Sequence, residues 1–342
     1  MAQYLNRTLR QVQQQICKQF SRESQTIQQR NYANGTSSGS TPRRAVLYVP
    51  GSDQRKLSKI PSLKVDCAVM DCEDGVAVNR KDEARHTICK ALDELVFGAT
   101  ECVARVNSVS SGLAEEDMKV ILQANRLPDT IMLPKVESVQ DIKWFSETLS
   151  QVLKHRDLRG DRINLVIFVE SARGLLNLRD ICLWGQELSK GDTCFNLDGI
   201  VFGSDDFCAD IGATRTTDAM ELLYARQKVV IIAKAFGLQA IDLVHIDYKD
   251  LESLKRTSEA GAGMGFTGKQ VIHPSQVPIV QAAFSPSPAK IEWASQLIEE
   301  FKLHQASGQG AFNFRGHMID KPLLLQAENV LKLAERIKDN DT

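Results

Sequence analysis

Three observations predict a (β/α)8 barrel followed by a C-terminal helical extension that carries a lid. Eight short apolar runs recur with starts roughly 20 to 40 residues apart, room for one crossover helix each. Most of the runs are continuously apolar rather than alternating, as strands buried on both faces must be. No GxGxxG comes after the first run, which counts against a doubly wound open sheet, the nearest competing architecture.

In chain order the runs occupy residues 45–49, 65–70, 102–106, 130–134, 165–169, 199–202, 240–244 and 270–272. The helical partner is clearest over 218–236, where Leu222, Leu223, Val229, Val230 and Ala233 fall on one face and Gly237 supplies the stop. A barrel of about 250 residues beginning at Arg44 is expected to fill 44–286, leaving 287–342 as the extension. That extension holds a helical pattern over 289–304, a Gly-rich segment over 307–316, and Asp320, Lys321 and Pro322 opening a last helix to about 337. A Gly-rich segment between helices at the end of a barrel is the pattern of a lid or an arm exchanged between subunits.

The 342 residues carry 42 Lys and Arg against 43 Asp and Glu, a formal charge of -1. This balance conceals two unlike pieces. Residues 1–44 total +6 with Glu23 as the single acid, and the remainder totals -7. Leu5, Leu9, Val12, Ile16 and Phe20 recur every three or four residues with Arg7, Arg10 and Lys18 off the stripe. A basic, acid-poor amphipathic leader is the pattern of a mitochondrial transit peptide, and the Asn-Gly-Ser-Thr stretch after it reads as a linker, so 1–43 is assigned to leader and linker. Near-neutrality argues against a nucleic-acid partner, and no apolar run approaches the roughly 20 residues needed to cross a membrane. The eight cysteines lie mostly inside apolar runs without CxxC pairs, as expected for small buried side chains in a reducing compartment.

The chemistry is read from the polar residues just beyond each run. Arg55, Lys56 and Lys59 come after the first, Asp71, Glu73 and Asp74 after the second, Arg105 and Asn107 after the third. Lys135 and Glu137 come after the fourth, Glu170 after the fifth, Asp205 and Asp206 after the sixth. These are the carboxyl ends of the strands, where parallel barrels place their active sites. Several carboxylates on one rim repel in a partly desolvated site, and a cation relieves that repulsion. Hard oxygen donors without His or Cys favour Mg2+ or Mn2+, with Glu170 and Asp206 as ligands and Asp71, Glu73 and Asp74 around them. Arg105 ends an apolar strand, so it is expected to meet an anion: either a substrate carboxylate or enolate, or the acidic rim itself. Arg55, Lys56 and Lys59 either hold phosphates or are simply solvated. Asp320, two residues before Pro322, suits a helix N-cap as well as a catalyst.

The strings AVLYVPGSD from Ala45, VMDCEDGV from Val69, ARVNS from Ala104, MLPKVES from Met132, FVESARG from Phe168, VFGSDDF from Val201 and GFTGKQVIHPSQ from Gly265 occur in this order over about 230 residues, with GHMIDKP from Gly316 beyond them. Together they resemble the citrate lyase β-subunit-like family of the HpcH/HpaI aldolase superfamily. The resemblance implies a Mg2+-dependent barrel that assembles as a homotrimer, acts on CoA thioesters in the mitochondrial matrix and cleaves citramalyl-CoA to acetyl-CoA and pyruvate. It implies Glu170 and Asp206 as metal ligands, with Glu170 also at the substrate, and Tyr48, Arg55, Lys59 and Arg105 as substrate-binding residues. Asp320 becomes the acid-base carboxylate, brought by the lid across a subunit boundary. Weak malate synthase and thioesterase side activities arise from the same chemistry run differently.

Two departures stand out. Ser204-Asp205-Asp206 replaces the usual Gly-Glu-Asp type of run, so the shorter Asp205 is expected to alter the surroundings of the ion, and Ser171-Ala172 replaces the commoner Thr-Ala. An aldolase of free 2-keto-3-hydroxy acids is the alternative within enzymes, and a non-catalytic CoA-binding protein the alternative outside them.

Overall fold

The computed structural model describes residues 41–156, 162–190, 193–306, 312–319 and 321–341. The leader to Ser40 and Asp320 lie outside the described residues.

Eight parallel strands close on themselves in sequence order: β1 (Ala45–Pro50), β2 (Cys67–Asp71), β3 (Glu101–Arg105), β4 (Thr130–Leu133), β5 (Ile163–Val169), β6 (Phe195–Phe202), β7 (Gln239–Asp242) and β8 (Gly268–Val271). Pairing of Ala45 with Lys269 and of Val46 with Gln270 seals β8 against β1. Each predicted run falls on a strand. The intervening helices are α1 (Gln54–Leu57), α2 (Lys81–Glu94), α3 (Ala114–Ile121), α4 (Val139–Val152), α5 (Ala172–Ser189), α6 (Ser204–Ile211), α7 (Leu223–Ala235), α8 (Leu251–Met264) and α9 (Val277–Ala283).

Local chemistry explains where these helices begin and end. Ser138 and Asp141 form a capping box on α4, the Ser171 hydroxyl caps α5 at the Gly174 amide, and Asp250 caps α8 at Ser253. The pattern over 218–236 resolves into a single 3-10 turn, Met220–Leu222, and then α7, and Gly237 ends it at φ +69°.

Alternation along the strands builds two apolar layers. Inward-facing Val46, Val69, Val103, Met132, Phe168, Val201 and Ile241 fill the barrel, so it is a packed core rather than a pore. Outward-facing Leu47, Ala68, Ala104, Ile131, Ile167 and Ile200 pack with the helices.

Arg43 plugs the amino-terminal end of the barrel. Its guanidinium lies 2.6 Å and 2.7 Å from the Glu101 carboxylate, 3.1 Å from Thr130 Oγ1, and pairs with Asp198. Arg44 grips Asp66 beside it. Two charges counted with the basic leader are thus buried parts of the barrel base; charge counting cannot see a partner 58 residues ahead.

Beyond the barrel, α10 (Pro288–Ala306) and α11 (Lys321–Asp341) flank an antiparallel hairpin, β9 (Phe312–Phe314) and β10 (His317–Ile319). The Gly-rich segment expected over 307–316 therefore enters a strand by residue 312, while 307–311 lie outside the described residues. Arg315 at φ +51° and Gly316 at φ +86° make the tight turn, with both central residues left-handed as the twist of a two-residue hairpin demands. Phe314 and Ile319 join Ala294, Leu297 and Ala327 in a small core separate from that of the barrel.

Candidate active site

Four of the inward-facing positions one step above the apolar filling are polar, and a fifth is a glycine that makes room for one of them. Val46 leads to Tyr48, Val69 to Asp71, Val103 to Arg105, Phe168 to Glu170 and Val201 to Gly203, each two residues on and therefore on the same face. The result is a cavity of about 720 Å³ at the carboxyl ends of the strands, lined by all five of these residues together with Arg55, Lys59, Ser204, Asp205, Asp206 and Gln270. That volume suits a small organic ligand.

Arg105 occupies the floor. Its Nε and Nη2 each donate to the Asp71 carboxylate at 2.7 Å, and its Nη1 lies 2.8 Å from Glu73 Oε2, an ion contact without hydrogen-bond alignment. The guanidinium stacks 4.9 Å from the Tyr48 ring and 5.7 Å from that of Phe168. Asp71 also accepts from the amides of Glu73 and Gly75, so its oxygens are committed to Arg105 and the β2 turn. Burial alone would raise the Asp71 pKa, but the charge and hydrogen bonds of Arg105 outweigh it and hold the carboxyl below its ordinary value. The Tyr48 hydroxyl is buried without a partner, and burial pushes its pKa well up, so it stands as an uncharged donor on the cavity wall.

Glu170 is 6% exposed and its carboxyl is pushed up to about 8, first by burial and then by the negative charges of Glu73 and Asp206. Its Oε2 accepts the Lys135 amide at 2.7 Å. Its Cγ and Oε1 lie over Gly203, where a Cβ would come within 2.4 Å and 2.5 Å of them, so only glycine leaves the carboxylate its place. Asp206, in the first turn of α6, is half-buried and lines the same cavity.

The donor set fits a hard divalent cation. A buried carboxylate seated in a glycine cradle and strained by neighbouring negative charge gains from a cation, and the oxygen-only pair of Glu170 and Asp206 leaves coordination positions for water and substrate, as Mg2+ prefers. No cluster of three or more His, Cys, Asp or Glu side chains that could hold a metal ion occurs among the described residues.

The other sequence-predicted residues divide. Arg55 and Lys59 line the cavity, as does Lys56. Asp205 lines it too, but its carboxylate is taken by Arg215, which also donates to the Val244 carbonyl and ties α6 to the end of β7. Asp74 is exposed, 3.6 Å from Lys135 Nζ. Glu137 turns away toward Arg173, 3.8 Å off. Asp320 lies outside the described residues.

Sequence reasoning left two neighbours unassigned. Ser204 Oγ is buried without a partner on the cavity wall, and the Lys135 ammonium bridges the rim, 2.8 Å from Glu73 and 3.9 Å from Asp206. Burial opposes that charge, but the carboxylates, Glu73 foremost, hold the Lys135 pKa above its ordinary value. Its place after β4 was the available signal; its partners were not legible.

Residues 44–274 match the HpcH/HpaI aldolase/citrate lyase family. The chain belongs to that family. Among its members the chain is 58% identical over 298 residues to the mitochondrial citramalyl-CoA lyase of Homo sapiens, covering 87% of each chain. It is 31% identical over 296 residues to a (3S)-malyl-CoA thioesterase of Cereibacter sphaeroides, covering 86% of this chain and 96% of that one. The structure of protein CitE from Mycobacterium tuberculosis in complex with magnesium, acetoacetate and coenzyme A superposes with a TM-score of 0.66 at 28% identity, covering 86% of this chain and 98% of the other. This family's barrel is thus the one built here.

Proposed function

We propose that this protein is a Mg2+-dependent carbon-carbon lyase that cleaves citramalyl-CoA to acetyl-CoA and pyruvate. The observation that carries the reading is the pairing, within one cavity, of the Glu170 and Asp206 carboxylates with Arg105, Arg55 and Lys59. The human relative named for this activity and the CitE complex with magnesium and coenzyme A support it.

Glu170 and Asp206 hold the ion, which supplies Lewis-acid polarisation of a hydroxy acid's oxygens. Arg55 and Lys59 at the cavity wall bind the phosphates of CoA; an aldolase of free keto acids has no use for them. Asp320 removes the proton of the tertiary hydroxyl. As the C–C bond breaks, its electron pair passes to the thioester carbonyl, giving the acetyl-CoA enolate, while the former hydroxyl carbon becomes the ketone of pyruvate. Arg105 uses two N–H groups on Asp71, and its remaining donors serve the developing enolate oxygen. Tyr48 donates to the substrate, and a proton returned to the enolate carbon completes acetyl-CoA. Hydrolysis of the same thioester and condensation of its enolate with glyoxylate are the weak side reactions, the first in keeping with the thioesterase relative.

The same reading puts the chain in the mitochondrial matrix, addressed by its 1–43 leader, over a barrel of residues 44–286. It works as a homotrimer in which the 287–342 extension brings Asp320 to a neighbouring cavity. The human relative's mitochondrial name supports the compartment. A coupled assay of pyruvate released from citramalyl-CoA, with and without Mg2+, tests the reaction; absence of metal-dependent pyruvate overturns it.

A further inference from the structure

Lys135 stands at the centre of the acidic rim in a backbone conformation that its residue type disfavours. Its φ is +52°, in the left-handed region that strains a side chain and that glycine enters freely. The conformation itself has a use, since it aims the Lys135 amide at Glu170 Oε2, 2.7 Å away. Glycine would deliver that same amide without the cost, so the presence of lysine points to a task for the side chain. Its ammonium reaches carboxylates from two separate elements: Glu73 at 2.8 Å and Asp74 at 3.6 Å in the loop after β2, and Asp206 at 3.9 Å in α6. The side chain is 35% exposed, on a flexible stem, and is not locked in the core.

We propose that Lys135 is the resident counter-cation of the carboxylate rim: its ammonium draws Glu73, Asp74 and Asp206 together without metal, competes with a divalent cation for them, and so sets the metal affinity of the site. This rests on the assignment of Glu170 and Asp206 as metal ligands. A cation that binds at those two carboxylates meets a fixed positive charge on one of them, and its binding is weakened by the repulsion. Lys135 is on this view a positioning residue: it acts on the metal through shared carboxylates and need not touch substrate.

The test is Mn2+ binding to the full-length chain without substrate, read as loss of the free-ion electron paramagnetic resonance signal. Lys135→Gly keeps the amide to Glu170 and relieves the backbone, and Lys135→Met keeps the backbone cost and the stem while removing the charge. Both are expected to bind Mn2+ at least about fivefold more tightly than wild type, the effect of a unit charge on a divalent ion about 8 Å away at the dielectric of water and a lower bound for any closer approach. Lys135→Arg is expected to restore the wild-type affinity. Unchanged or weaker binding in the Gly and Met variants overturns the proposal. Asp206→Asn separates the two readings. If wild-type binding is indifferent to Asp206→Asn, the metal assignment falls and the proposal with it; if Asp206→Asn weakens binding while the Lys135 variants leave it unchanged, only the role of Lys135 falls.

Discussion

Asp71 and Arg105 are register partners on adjacent parallel strands, and their side chains meet in a two-pronged ion pair, 2.7 Å on each arm, above the apolar filling of the barrel. Removing one member leaves the other charged in a buried position. Asp71→Asn is expected to destabilise the fold by about 3 kcal/mol and to release Arg105 from its stack on Tyr48. The pH dependence comes from the depressed Asp71 pKa. A group whose folded pKa lies below its unfolded value contributes stability above the unfolded pKa, about 4 for Asp, and loses it as pH falls through the folded one. Urea unfolding of wild type and Asp71→Asn should differ by a constant amount from pH 7 down to about 4, and by less below it. A gap that stays flat as acid is added would show that the carboxylate charge is not its source.

Gly203 makes room for Glu170. A methyl group there falls 2.4 Å from Glu170 Cγ, so Gly203→Ala must push the carboxylate out of its cradle. The expected result is a rise of about tenfold or more in the Mg2+ concentration needed for half-maximal pyruvate release, with circular dichroism unchanged. A normal Mg2+ requirement would remove Glu170 from the metal site.

Arg55 and Lys59 are assigned to substrate phosphates, remote from the reacting bond. Arg55→Ala and Lys59→Ala should each raise KM for the thioester by about three- to tenfold, with kcat largely kept, and the effect should shrink at high salt. A fall in kcat at constant KM would place them in the chemistry instead.

Asp320→Asn is expected to lower kcat by at least about a hundredfold while CoA-thioester binding persists. Mixed with Asp206→Asn subunits, it should regain part of the lost activity, because some cavities then combine an intact metal site with an intact Asp320 from a neighbour. If mixed assemblies form without recovery, each site is built within one chain.

How much of this was legible in the residues varies with the kind of interaction. The strands were, because two-sided burial leaves an unbroken apolar run such as 165–169 that survives any detail of packing. Much of the rim was also legible, since Asp71, Arg105 and Glu170 stand at or just beyond the ends of identifiable strands, whereas Tyr48, inside the first run, came only from the family resemblance. The 312–319 hairpin was missed: Gly316 read as part of a loose segment, while its left-handed φ and that of Arg315 serve a tight turn. The roles of the acids were legible only as a group. Asp71 and Glu73, expected around the ion, hold Arg105, and Asp205 holds Arg215.

By itself the sequence determined the barrel and the end of it that carries polar groups, because an unbroken apolar run and the polar residues that follow it are local properties. Tertiary structure alone decided the pairings. Arg105 finds Asp71 across 34 positions, Arg43 finds Glu101 across 58, and Lys135 finds Glu73 across 62. A rim with several acids and several bases permits many pairings of similar Coulomb energy. The choice among them rests on strand register, on a glycine that admits a carboxylate, and on a left-handed backbone that turns one amide toward Glu170, and these are distances and angles that exist only once the barrel has closed.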